Sequence, residues 1–124
     1  MRFAIIGSRY FSNSNFMDKI LDPYRELGNM DEIVSGGAKG ADLLAKQYAE
    51  KHNIKYTEFP ALWNQYGKTA GYKRNIQIVD HSDMIIAFLM KGMENKGTNH
   101  TISIGQDKSK EIVIVEYDEL EDIG

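Results

Sequence analysis

The 124-residue chain contains no cysteine, which excludes disulfides, cysteine-based zinc sites and thiol nucleophiles together. It also lacks long apolar runs. The longest, "MIIAFLM" (84–90) and "IVIV" (112–115), are far too short to span a bilayer. The opening "MRFAIIGSR" meets a glycine turn too soon to read as a signal peptide. No G-x-x-x-x-G-K-[ST] stretch occurs, so the P-loop is excluded, and no His/Asp/Glu cluster has metal-ligand spacing. These absences lead us to expect a cytoplasmic protein with no membrane association and no metal.

What is present fits one globular domain: 42% hydrophobic and 27% charged residues in a chain long enough to bury a core. Charge is unevenly spread. The last nine residues, "EYDELEDIG", hold five acids and no base, so the net −3 of the whole chain becomes +2 on residues 1–115. We therefore read residues 1–117 as the domain and 118–124 as an acidic tail. The mildly basic body suits a small anionic ligand, but its field is too weak to argue for nucleic acid.

Strand and helix signals alternate along the chain. Short apolar runs at 2–7, 31–35, 54–59, 83–89 and 111–117 read as strands. Helical spacing appears at 15–27, where Pro23 should kink or divide the helix, and at 40–53 and 68–81. Residues 98–107 have weak helix propensity, yet a parallel strand on each side requires a crossover, so a helix is expected there too. The expected fold is α/β: a Rossmann-like three-layer sandwich around a five-stranded, mainly parallel sheet.

In such a sheet, ligands collect at the carboxyl ends of the strands. Three glycine-bearing loops lie there: "GSRYFSNS" (7–14), "SGGAKGAD" (35–42) and "KGMENKGTNH" (91–100). Gly7, Gly36, Gly37 and Gly40 would let backbone approach a phosphate. Arg9, Lys39, Lys91 and Lys96 could add charge, and Ser8, Ser35 and Thr98 hydroxyls. The bland alternative is that "SGGAKGAD" only turns the chain. Glu58 could stand as a ribose-binding acid or be an ordinary strand-end glutamate. On a helix, Gly71, Arg74, Asn75 and Ile78 share one face, with Lys68 one turn earlier. Arg74 suits phosphate and Asn75 a base edge or ribose, while Trp63 and Tyr66 offer a stacking wall. Equally, this could be a solvated face with Trp63 plugging a loop.

Taken in order, "IIGSR", "SGGAKGAD", "FPALWNQYGKTAGYKRN", "DMIIAF" and "KGTNHTI" resemble the YspA-like branch of the SLOG superfamily over residues 2 to 115 or so. The resemblance implies a Rossmann-like domain holding a nucleotide or nucleotide-derived ligand, with no separate cofactor. Its role would be sensing or sequestration, in a homodimer or higher homo-oligomer. The superfamily also contains the Lonely Guy phosphoribohydrolases and DNA-processing relatives. The phosphoribohydrolase motif P-G-G-x-G-T-x-x-E pairs a phosphate loop with a glutamate. Here "ENKGTNHT" keeps Gly97 and Thr98 but puts His100 and Thr101 where acids are expected. Glycosidic cleavage builds positive charge on the ribose, which a carboxylate stabilises and a neutral imidazole does not. His100 is thus read as a ligand hydrogen-bonder or supporting group. Asp42 is the one other acid in a suitable place for catalysis, unless it merely serves the N-terminus of its helix. The expected activity is ligand binding, with an N-glycosidase reading as runner-up and DNA binding not expected.

Overall fold

In the computed structural model, residues 1–118 are described. Five strands, β1 (Arg2–Gly7), β2 (Glu32–Ser35), β3 (Lys55–Glu58), β4 (Met84–Met90) and β5 (Glu111–Tyr117), form one sheet in the order β3-β2-β1-β4-β5. Every pairing is parallel. The helices are α1 (Ser14–Glu26), α2 (Ala41–Lys51), α3 (Trp63–Tyr66), α4 (Ala70–His81) and α5 (Lys96–Asp107). The expected α/β Rossmann-like architecture is therefore present. Of the expected acidic tail only Asp118 falls within the described residues, and among these no helix is long and apolar enough to cross a membrane.

Alternation along the central strands builds two cores. Phe3 and Ile5 of β1, with Ile86 and Phe88 of β4, face α1 and α2 and pack with Phe11, Met17, Leu21 and Ala45. Ala4 and Ile6, with Ile85 and Ala87, face the other way and meet Ile78, Val79 and Ile102 of α4 and α5. Each strand is apolar at consecutive positions because both of its faces are covered.

Local chemistry sets the helix ends. Asn13 caps α1, its side-chain oxygen accepting from the Phe16 N–H at 3.0 Å. Pro23 does not divide the helix: α1 continues through it from Ser14 to Glu26. Pro23 and Lys19, one turn earlier, are both exposed, so the carbonyl that loses its donor lies on the solvent side. The helix expected over 68–81 instead begins at Ala70, preceded by the single turn α3 and a 3-10 turn at Gly67–Thr69. Gly67, at φ 56, ends α3 in a backbone conformation that favours glycine. The weakly patterned crossover forms α5, where Gly105 allows close packing on Ile85 and Ile112.

Ile86 lies at 0% exposure on the central strand β4. Ile86→Ala should cost about 2–5 kcal/mol of unfolding free energy in urea titration, the range for a buried truncation that leaves a cavity.

Candidate functional site

Strand order reverses between β1 and β4, so the loops that leave them diverge and open a crevice. A cavity of about 650 Å³ occupies it. One lip carries Gly7, Ser8, Arg9 and Tyr10, and the other carries Met93 through Thr98, including the first turn of α5. Asp42 from α2 and Arg74 and Asn75 from α4 also line it. Of the residues expected at a ligand site, the fold thus brings together Gly7, Ser8, Arg9, Asp42, Arg74, Asn75, Lys96, Gly97 and Thr98.

The glycine turn 35–42 makes contacts within the protein itself. The Asp42 carboxylate accepts from the Gly36 N–H at 3.1 Å and the Ala38 N–H at 3.3 Å, so two amides of the turn are already engaged. Its glycines make room for protein groups. A Cβ on Gly36 would lie 2.3 Å from Arg74 Nη1, and one on Gly37 would lie 2.4 Å from the Glu58 carboxyl carbon. At Gly40, φ is +79 and a Cβ would fall 2.3 Å from the Ser8 carbonyl oxygen. That same carbonyl accepts from the Ala41 N–H at 3.1 Å and the Phe11 N–H at 3.2 Å. The turn is a packing junction between the first loop, α2 and α4.

The remaining expected residues lie outside the cavity lining. Ser35 is wholly buried, its hydroxyl 2.6 Å from Tyr56 OH, which donates in turn to Glu58. Burial raises the Tyr56 pKa and so favours its protonated form. Lys39 and Lys68 are exposed. Trp63 covers Gly71, and Tyr66 sits under the Lys73 ammonium at 4.7 Å, so neither ring lines the cavity. His100 supports the wall from behind. Arg74 Nε donates to Asn75 Oδ1 at 3.1 Å, which orients that amide and turns its Nδ2 to His100 Nδ1, also at 3.1 Å. With Nδ1 accepting, the neutral imidazole carries its proton on Nε2. Asn75 Nδ2 also reaches the Gly97 carbonyl at 3.5 Å, and Arg74 Nη1 reaches the Gly36 carbonyl at 2.9 Å. A polar chain thus ties the glycine turn to the start of α5.

Tyr10, Met93, Glu94 and Asn95 line the cavity without having been singled out from the sequence. Their loops were identified, but nothing in periodicity marks which loop side chains face inward. Gly97 differs from the glycines of the turn: apart from its chain neighbours and the backbone of its own helix, no atom lies within 4 Å of where its Cβ would stand. Neither a close contact nor a positive φ calls for glycine there. Among the described residues, no group of three or more His, Asp or Glu side chains is placed to hold a metal ion.

Burial pushes the Asp42 pKa up to about 6, against the opposing pull of the Ala38 N–H, the Arg74 guanidinium and the Gly36 N–H; Glu58 adds to the rise. For an acid raised in the folded state, the folded protein binds the extra proton between the unfolded and folded pKa values. Stability from this group is therefore greatest at low pH and falls as pH rises from about 4 to 6. Measured against Asp42→Asn, the unfolding free energy of the wild type should decline by roughly 3 kcal/mol at most across that window. Paired chemical denaturation curves at pH 4 and pH 7 check it.

The family model described as the YspA, cpYpsA-related SLOG family (YAcAr) matches residues 1–66. The chain is also similar to the "Gene 61 protein" of Mycobacterium phage D29, at 31% identity over 112 residues, covering 85% of this chain and 88% of that protein. No solved structure matches significantly.

Proposed function

The chain belongs to the YspA, cpYpsA-related SLOG family, and from that premise we propose that it binds a small phosphorylated nucleotide or nucleotide derivative in the crevice between β1 and β4. The observation that carries this reading is Gly97, an open glycine in the first turn of a twelve-residue helix that borders the cavity. The first turn of a helix presents unpaired N–H groups and the positive end of its dipole. A phosphate placed against Lys96–Thr98 would meet those amides, the Thr98 hydroxyl and the Lys96 ammonium, with Arg9 on the facing lip. The 650 Å³ volume leaves room for a ribose and base beyond the phosphate. Tyr10, 58% exposed on that facing lip, offers its ring to a base in place of Trp63 or Tyr66. Arg74 and Asn75 shape the wall through their bonds to Gly36 and Gly97. The role we infer is sensing or sequestration of such a ligand by a homo-oligomeric, cytoplasmic protein without a further cofactor.

One observation favours a second reading, an N-glycosidase. Asp42 is a carboxylate on the cavity wall with its pKa raised toward neutrality, the state expected of a group held for proton transfer. Against it, Asp42 already serves two amides of the turn.

Gly97→Ala separates ligand binding from folding. The methyl group meets open space and a helical residue, so unfolding stability should stay level or rise by up to about 1 kcal/mol. Affinity for nucleoside monophosphates, read by calorimetry, should fall at least tenfold. Unchanged affinity would refute the placement of the phosphate. Chromatography after incubation with the same nucleotides should recover them intact. Free base, lost in Asp42→Asn, would make the hydrolase reading the correct one.

A further inference from the structure

Five charged side chains line the crevice: Arg9, Asp42, Arg74, Glu94 and Lys96. Two of them are engaged within the protein. Asp42 serves the Gly36 and Ala38 amides, and Arg74 holds the Gly36 carbonyl and the Asn75 side-chain oxygen. Arg9, Glu94 and Lys96 make no side-chain hydrogen bond or ion pair within the described residues. Two of these three suit an anion, and the third does not. Glu94 directly precedes Asn95, the N-cap residue of α5, on the lip that carries Lys96 to Thr98. Asn95 leaves the first-turn amides without a side-chain cap. Its Nδ2 donates back to the Met90 and Met93 carbonyls at 3.4 and 3.0 Å, and its Oδ1 accepts from no group among the described residues. An unpaired carboxylate thus precedes the same positive helix end that the proposed phosphate would use.

We propose that Glu94 is a specificity-determining residue: it caps the charge of the ligand near that of one phosphate monoester, so that a nucleoside monophosphate is accepted and its di- and triphosphate are rejected. The inference rests on the nucleotide reading given above. Arg9, Arg74 and Lys96 bring positive charge to the crevice, and Asp42 and Glu94 take away all but one unit of it. The α5 terminus adds about half a charge. A phosphate monoester carries about −1.5 to −2 at neutral pH, so one such group matches the positive excess. Each further phosphate brings about one more negative charge into a cavity with nothing left to balance it and with Glu94 on its lip. Specificity gained through a repulsive element of this kind does not require the carboxylate to touch the accepted ligand. Because Glu94 is exposed, its effect is screened by salt.

Calorimetry of the full chain with a nucleoside monophosphate, diphosphate and triphosphate, in EDTA and low salt, tests this. The wild type should bind the monophosphate about tenfold more tightly than the diphosphate. Glu94→Gln should narrow that ratio about fivefold by strengthening the diphosphate, and Glu94→Asp, which keeps the charge, should preserve it. In 1 M salt, where screening acts within about 3 Å, the wild-type ratio should narrow as well. A ratio unchanged in Glu94→Gln, with the nucleotides still bound, overturns the proposal and leaves the nucleotide reading standing. Weaker monophosphate binding by Glu94→Gln would make the carboxylate a direct ligand contact, and that overturns it. So does a gain in diphosphate affinity on adding magnesium that Glu94→Gln abolishes, since the carboxylate would then hold a cation. Failure of every nucleotide to bind refutes both the proposal and the reading beneath it.

Discussion

The Asp42 carboxylate is the point on which the candidate site depends. It gathers the Gly36 and Ala38 amides from the inside of the glycine turn, while Arg74 holds the Gly36 carbonyl from the outside. A single peptide segment is thereby gripped by α2 and α4, which cover opposite faces of the sheet. The grip is costly in isolation, since a carboxylate buried to 7% exposure gives up much of its hydration. Two N–H donors and a nearby guanidinium offset that cost only in part, and the raised pKa of Asp42 is the remainder. A side chain at Gly36 would displace the Arg74 guanidinium, and one at Gly37 would displace the Glu58 carboxylate and strain a backbone at φ +74.

This changes what the glycines mean. A glycine-rich strand-to-helix turn in a parallel sheet suggests a cradle for phosphate, and the spacing here is close to that of known cradles. The contacts distinguish two kinds of glycine that look alike as letters. Those of the turn are bare because protein atoms press on them, whereas Gly97 is bare with nothing near it. That contrast is what directs the proposed anion to the positive end of α5, across the crevice.

Much of the fold was legible because strand burial imposes itself on composition: five apolar runs with helical patterns between them admit few other arrangements. The first loop, Asp42, Arg74–Asn75 and Gly97–Thr98 were legible as well, through their place at strand ends and the resemblance to the SLOG pattern. What could not be read was direction. Ser35 sits at the end of β2, yet its hydroxyl turns to Tyr56 on the neighbouring strand, and strand pairing decides that. Trp63 and Tyr66 look like a stacking wall, but α3 is a separate turn that lays them on α4. Of the kink or division expected at Pro23, the division does not occur, because both it and the carbonyl one turn back lie on the exposed side.

The first lip of the crevice is held largely by main chain, whereas the second is also held by the Asn95 and Asn75 side-chain amides. The Ser8 carbonyl takes two N–H groups, and the Ser8 amide donates to the Phe88 carbonyl at 2.9 Å across to β4. The side chains that project from those lips, Arg9, Tyr10, Met93, Glu94 and Lys96, make no side-chain hydrogen bond or ion pair within the described residues. On the first lip, the atoms that hold the loop are accordingly different from the side chains that project from it. A lineage carrying this scaffold is free to exchange the five projecting residues at little expense to the sheet beneath, and under the proposed reading the ligand would change with them.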